Sequence, residues 1–272
     1  MTTLSITTDF ARDTGSPEPY LRLIARAGFT HIHWCHHWNT DFLYLASEVD
    51  QIRRWLDEIG LHLLDIHASD GSEKNWASLR EYERLAGVEL VKNRIDMAAA
   101  LGSDVIVMHI PSHYDDELEQ DAGWLQLRKS LDALKPYAAS KGVRIAIENT
   151  TAASLRGIHR LFELYQPDFL GLCFDCGHSN LIDDGLDQLD QLKHRLLAIH
   201  LHDNDGNGDQ HNIPFTGTVD WPRLTRLLAA SSYKKCISME SNIHRTGISD
   251  EGEFLAKAYA AGIKLTEMVA RG

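Results

Sequence analysis

The sequence is short of several things at once, and each shortage removes a class of protein. Among 272 residues there are four cysteines, Cys35, Cys173, Cys176 and Cys236, too sparse for a disulfide framework. Seven prolines are scattered, and no Pro/Ser-rich linker, charge block or low-complexity stretch divides the chain. Its length therefore fits one large α/β domain. No apolar run approaches the ~18 residues that cross a membrane. The start, MTTLSITTDFARD, has neither the basic end nor the apolar core of a secretory signal. A reducing cytoplasm is the expected compartment. No GxGxxG or GxxxxGK[ST] follows the first apolar run, which removes the usual nucleotide loops. Positive charge is scarce as well: 27 Lys and Arg stand against 39 Asp and Glu, a net charge of −12. That balance disfavours nucleic-acid and anionic-membrane partners, although a local basic patch stays open.

What the chain has in excess is histidine, 15 of them, the commonest protein metal ligand. Six ionisable side chains close six successive apolar runs: His67 (LHLLDIH), His109 (DVIVMH), Glu148 (VRIAIE), Asp175 (LGLCFD), His200 (LLAIH) and Glu240 (CISME). Strands are expected over 4–8, 30–34, 61–67, 104–109, 143–148, 169–175, 196–200 and 235–240. Amphipathic helices are expected near 17–27, 47–59, 77–101, 121–140, 152–166, 186–195, 220–230 and 249–270. Eight β–α units in this length read as a single-domain (β/α)8 TIM barrel, whose active site lies where the strands end. Alternation supports closure. In LGLCFD, Gly171, Cys173 and Asp175 share one face and Leu170, Leu172 and Phe174 the other; Ala146 and Glu148, and Cys236, Ser238 and Glu240, repeat the pattern. The small faces, each ending in a ligand-type residue, are expected inside the barrel.

Three carboxylates and several imidazoles at one rim would lose their charges unless a cation joined them. A divalent metal resolves that, with carboxylate-plus-His sets suiting Mn2+, Mg2+, Co2+ or Zn2+ and added imidazole favouring Zn2+. Singly, each residue has a plainer use, as a hydrogen-bonded surface His or a helix-capping Asp; six at regular strand ends do not. Asp175-Cys-Gly-His178 and Asp209-Gln-His211 add further carboxylate–imidazole pairs after strands six and seven. Cys173-x-x-Cys176 has metal-pair spacing, but its two members point to opposite faces of a strand, so packing is the reading. Asp65 faces the same way as His67, either orienting it or pairing with Arg144. His31, His33, His62, His159, His194 and His244 are read as structural or exposed.

The stretches MAAALGSDVIVMH, IAIEN, FDCGH, HLHDND and DQHNIPFTGTVDW resemble the xylose isomerase-like barrel superfamily, over nearly the whole chain. That group holds sugar isomerases and epimerases and the endonuclease IV nucleases. The resemblance implies that Glu148, Asp175, His200 and Glu240 bind one metal, with His200 in the H-x-x-D placement with Asp203 and His202 in reserve as a ligand or substrate contact. It also implies that Glu148 and Glu240 act as acid/base partners, with His178 holding a substrate oxygen. A three-metal arrangement in the same group would add His67 and His109 beside Glu148, and a third site from His178, Asp209 and His211. The implied cofactor is thus Mn2+ or Zn2+, one ion or more. The ligand set alone leaves a sugar isomerase, a keto-sugar dehydratase or lyase, and a multi-metal phosphodiesterase open.

The rim loops separate these. Basic residues there are few (Arg12, Lys74, Arg245), whereas Asp13, Asp70, Glu73, Asp115, Asp116, Glu117, Glu119, Asp183, Asp184, Asp203 and Asp205 are acidic. Duplex DNA needs its phosphates neutralised, so the expected partner is a small, sugar-like molecule. Aromatics near the rim, Trp34, Trp38, Trp76, Tyr114 and Trp124, either face a sugar or pack. The stretch Trp34-Cys-His-His-Trp38, with His36 and His37, is the foremost candidate wall. Asn149 either contacts substrate or caps the next helix. The resemblance also admits a homo-oligomer through helix-face contacts.

Overall fold

The computed structural model describes residues 2–68, 70–111 and 121–272. Tyr114, Asp115, Asp116, Glu117 and Glu119, named above for the rim, lie outside the described residues.

Strands and helices alternate as the periodicity predicts. The strands are β1 (Leu4–Thr7), β2 (His31–Trp34), β3 (His62–His67), β4 (Val105–Met108), β5 (Arg144–Glu148), β6 (Leu170–Asp175), β7 (Leu196–His200) and β8 (Ile237–Met239). The helices are α1 (Glu18–Arg26), α2 (Ala46–Ile59), α3 (Glu81–Ala100), α4 (Ala122–Lys141), α5 (Ala152–Leu164), α6 (Cys176–Ser179), α7 (Gly185–Leu192), α8 (Trp221–Ala229) and α9 (Glu251–Arg271). The four-residue α6 was not expected. It is one turn started by Asp175, whose carboxylate accepts the His178 N–H at 2.7 Å.

All neighbouring strands are parallel, in the order β7-β6-β5-β4-β3-β2-β1-β8. The ring closes just past β7, where the Leu201 N–H donates to Ser238 O and the Glu240 N–H to Leu201 O, both at 3.1 Å. The chain is therefore a TIM barrel. Side chains alternate across each strand. Bulky ones (Ile6, Ile32, Ile66, Ile147, Phe174, Ile199) face the helices in one continuous core. Small ones (Val105, Val107, Ala146, Cys173, Ala198) form a separate cluster inside the barrel. This narrow filling leaves the ends of the inward rows free to carry polar groups.

Two bulges aim those rows. The register of β2 on β3 shifts at Ile32/His33, so His33 lies opposite Asp65. That of β6 on β7 shifts at Leu172/Cys173, so Asp175 lies opposite His200. Gly171 permits the second bulge, because a Cβ there would meet Arg195 O and the Leu197 side chain at 2.5 Å.

Outside the barrel, α3 presses Gly87 against the loop that carries Trp76. A Cβ at Gly87 would sit 2.2 Å from Trp76 N and 2.4 Å from Asn75 C. Those atoms are backbone and cannot rotate away. Gly87→Ala should therefore cost about 1–3 kcal/mol or more despite the gain in helix propensity, and a denaturant melt checks it.

Candidate active site

Each inward row ends at the C-terminal rim in a polar side chain. Glu148 closes β5 and is buried. Its Oε2 lies 3.5 Å from His67 Nε2, 3.3 Å from His109 Nε2 and 3.2 Å from His200 Nδ1, and its Oε1 lies 3.3 Å from His178 Nδ1. Glu240, just past β8, places Oε2 3.3 Å from the same His200 Nδ1 and 3.8 Å from His211 Nδ1. The two carboxylates therefore share His200 as a common neighbour.

Around the other side, Asp209 Oδ2 sits 3.3 Å from His178 Nε2 and 3.0 Å from His211 Nε2. Both imidazoles have their other nitrogen on a main-chain carbonyl: His178 Nδ1 on Asn149 O at 3.1 Å, and His211 Nδ1 on Glu240 O at 2.7 Å. Those carbonyls fix Nδ1 as the donor, so each Nε2 is left for a second proton or a cation. This is the outer support that metal-binding histidines take. His211 is held with φ of 51°, a left-handed conformation uncommon for a side chain with a Cβ and often found at functional sites.

The expected quartet is joined unevenly. Glu148, His200 and Glu240 meet directly. Asp175 meets His202 Nε2 at 3.0 and 3.1 Å, and lies 3.6 Å from His178 Nδ1. It enters the site through those two imidazoles. Gly177 makes room for this pair, since a Cβ there would fall 1.9 Å from His202 Cε1.

Charges are strongly perturbed. Burial opposes ionisation of Glu148, yet His200 and His109 hold its carboxyl well below the usual range. Burial likewise acts against Glu240, and His200 again outweighs it. Burial lowers His178, but Asp175, Asp209 and Glu148 carry it up to about 12; His211, against the same burial, rises to about 10 through Asp209 and Glu240. His67, where burial wins, falls to about 4.

The donor set fits a divalent metal. Glu148 Oε2, His109 Nε2 and both ring nitrogens of His200 are buried without a hydrogen-bond partner, a costly state unless something joins them. Two ligands that each lie ~2.0–2.2 Å from one ion stand roughly 3–3.5 Å apart, the spacing these atoms keep. Among the described residues His67–His109–Glu148 and His178–Asp209–His211 each bring ligand atoms within 4.8 Å of one another.

The cleft over these groups has a volume of about 190 Å³, and Asp9, Trp38 and Asn242 border it beside the ligand residues. Trp38 stands over His67 and His109, with ring centroids 4.5 and 5.5 Å away. Trp34 does not share this wall. It is fully buried in the core, its Nε1–H donated to Tyr44 Oη at 3.1 Å. His36 is buried too, bound to Tyr44 Oη and Gly15 O, and His37 stacks on Phe42. Trp76 and Trp124 are core residues. The two tryptophans thus differ in setting, Trp34 in the core and Trp38 at the cleft. Trp34→Ala should cost about 3–5 kcal/mol, whereas Trp38→Ala should leave the melting midpoint nearly unchanged and raise KM; melts and steady-state kinetics check the pair.

Asn149 also departs from expectation. Its amide donates to Asp175 O at 2.9 Å and accepts the Asp175 N–H at 2.8 Å. It stitches β5 to β6 and is fully buried, so it neither reaches the cleft nor caps α5, which Thr151 caps. Asp203 is no rim charge. It is buried and accepts from the main-chain N–H of Asn204, Phe215 and Val219 and from Trp221 Nε1, clamping the loop that presents Asp209 and His211. Asp65 pairs with His33 at 2.6 Å rather than with His67 or Arg144; Arg144 pairs with Asp104.

Two site residues escaped the sequence reading. Asp9 borders the cleft, hydrogen-bonded to Thr7 Oγ1. Its signal was present, since LSITTD is another apolar-leaning run closed by an acid. His33 lies fully buried below Glu240, and its inward position follows from the same alternation that was applied to the other strands.

Residues 21–264 match the family model described as Xylose isomerase-like TIM barrel. A protein of Sinorhizobium fredii described as Uncharacterized protein y4fM is 35% identical over 276 residues, covering 92% of this chain and 88% of its own. Fructoselysine 3-epimerase of Shigella flexneri is 22% identical over 167 residues, 59% of this chain and 60% of its own. The crystal structure of D-psicose 3-epimerase in the presence of D-fructose superposes with a TM-score of 0.80 at 17% identity, covering 98% of this chain and 99% of that one.

Proposed function

The chain belongs to the xylose isomerase-like TIM-barrel family, and we propose on that basis that it is a metal-dependent isomerase or epimerase of a small sugar or polyol-derived carbonyl compound. One observation carries the reading: two buried carboxylates, Glu148 and Glu240, converge on His200 Nδ1 from strands β5 and β8 at the floor of a small cleft. Moving a proton beside a carbonyl needs one group to take it and one to return it. Two carboxylates held at one cleft supply both. Glu148, Asp175, His200 and Glu240 would hold the primary ion, with His202 against Asp175. When bound, that ion would polarise the substrate's carbonyl and hydroxyl oxygens.

In the forward step one carboxylate removes the C–H proton next to the carbonyl, and the electron pair moves to the carbonyl oxygen. For isomerisation the group that took the proton returns it to the carbonyl carbon while the hydroxyl proton moves across to the carbonyl oxygen. For epimerisation the other carboxyl group, which must enter the cycle protonated, delivers its proton to the opposite face, and the proton taken by the first resets the pair. His178, anchored through Nδ1 on Asn149 O, would hold a substrate oxygen at Nε2. Trp38 offers a flat apolar surface and keeps water from the His67–His109 side. The names of the compared epimerases, acting on psicose and fructoselysine, agree with a substrate of this class. No helix among the described residues is long and apolar enough to cross a membrane, in keeping with action on a dissolved substrate.

A second reading has its own observation. The His67–His109–Glu148 and His178–Asp209–His211 clusters would suit a multi-metal phosphodiesterase. Against it stands the rim, where Asp70, Glu73, Asp183, Asp184 and Asp205 are exposed with Arg12 and Arg245, a surface that repels duplex phosphate. Metal-loaded protein in D2O, screened over ketoses and aldoses, separates the two. Deuterium entering carbon beside the carbonyl supports the isomerase. Cleavage of abasic-site DNA with no exchange into any sugar supports the phosphodiesterase and sinks the first reading.

A further inference from the structure

Below the cleft, on the barrel axis side of β2, lies a buried group that the reaction above does not use. The bulge in β2 puts His33 opposite Asp65 on β3. Both are buried, and His33 Nδ1 lies 2.6 Å from Asp65 Oδ1, the length of a charge-assisted hydrogen bond. Nδ1 therefore carries a proton. The opposite nitrogen, Nε2, is buried without a hydrogen-bond partner and faces Glu240 Oε1 at 3.6 Å; Cys35 Sγ approaches the same oxygen at 3.9 Å. The ring thus lies between two carboxylates, hydrogen-bonded to Asp65 on one side and set against Glu240 Oε1 at ion-pair distance on the other.

We propose that His33, held by Asp65, is a positioning residue that fixes the Glu240 carboxylate from beneath; the inference rests on the reading of Glu240 as a metal ligand and acid/base group. Its effect is to divide the labour of the two oxygens. Oε1 faces His33 Nε2 at 3.6 Å and accepts the Cys35 thiol at 3.9 Å, which leaves Oε2 turned to His200 and His211. The terminal torsion of a glutamate is broad, so without this anchor the carboxylate swings between the two directions and the ligand geometry loosens. The His200 ring, 4.3 Å from that of His33, blocks sideways escape. Groups that orient metal-ligating carboxylates are commonly worth 10–100-fold in metal affinity.

The test is Co2+ binding by chelator competition in His33→Leu, His33→Gln, Asp65→Asn and Cys35→Ser. A glutamine amide reaches the position of Nε2 and still donates; leucine does not. Affinity should fall 10–100-fold in His33→Leu, with His33→Gln recovering most of the loss and Cys35→Ser binding as the wild type does. A merely structural role would lower the midpoint of the metal-free protein without this Gln-over-Leu rescue. Should His33→Leu not fold, Asp65→Asn carries the test, with a fall in the same range. Equal affinity in the Leu variant and the wild type overturns the inference alone, as does equal loss in Leu and Gln. A near-UV thiolate-to-cobalt band abolished by Cys35→Ser overturns it too, because it makes His33 a ligand, with Cys35 and Glu240, of an ion of its own. Wild-type protein that takes up no Co2+ brings down the proposed function, and this inference with it.

Discussion

Glu148→Gln should stop proton exchange. In D2O with metal supplied, deuterium entry into a substrate ketose should slow by about 10³-fold, within the range that a positioned acid or base contributes. The substitution preserves shape and removes one negative charge, so the fold around β5 has no steric reason to change. What it removes is the carboxylate that four imidazoles, His67, His109, His178 and His200, surround at 3.2–3.5 Å. Its proton affinity is held low by that company, chiefly His200 and His109 against the pull of burial. A glutamine amide can neither take a proton at neutral pH nor balance those rings. Metal content should fall with activity, and mass spectrometry measures both the protein's integrity and its ions. Glu240→Gln should be less damaging to metal content, because fewer imidazoles face Glu240, yet comparable in exchange. Retained exchange in Glu148→Gln would sink the assignment.

The barrel was legible because its signal is local and repeated. Strand and helix positions came from periodicities of two and 3.6, and a run such as LGLCFD states its own inside and outside. The site's membership was legible for the same reason, because an inward row ends where its strand ends. What was not legible depends on neighbours from other strands. Trp34 and Trp38 differ by four residues, but the first ends β2 on its helix-facing side, where Tyr44 takes its Nε1–H, and the second lies past the strand at the cleft. Asn149 reads as a loop amide until β6 arrives to use both ends of it. Asp65 reads as a partner for His67, two residues on, until a bulge delivers His33 instead. Asp203 reads as acidic loop until its four donors, drawn from residues up to 18 positions later, close around it. In each case the residue type announced a polar role and the tertiary register chose the partner. Asp9 is different: it follows β1 as the other acids and imidazoles follow their strands, and LSITTD carries that signal in the sequence itself.

Chelation should reveal how much of the barrel's stability the site withholds. The rim holds buried groups with no hydrogen-bond partner, among them Glu148 Oε2, His109 Nε2 and His200 Nδ1, which a bound ion would satisfy. An ion that binds only the folded chain stabilises it by mass action, about 2.7 kcal/mol when free metal is 100 times the dissociation constant. For a chain of this size 1 kcal/mol moves the thermal midpoint by roughly 2–4 °C. Stripping the metal should therefore lower the midpoint by about 5–10 °C, and restoring Mn2+ or Zn2+ should recover it. Asp209→Asn separates one ion from several. If only the Glu148–Asp175–His200–Glu240 centre fills, the variant keeps both its metal count and its chelator-sensitive shift, because Asp209 contacts His178 and His211 rather than those four. If the His178–Asp209–His211 corner fills as well, the variant loses one equivalent and part of the shift, and the remainder reports the primary centre by itself. A midpoint that ignores both chelator and added metal would mean that protons alone, on rings such as His178 and His211, balance these carboxylates, and the metal reading would fall.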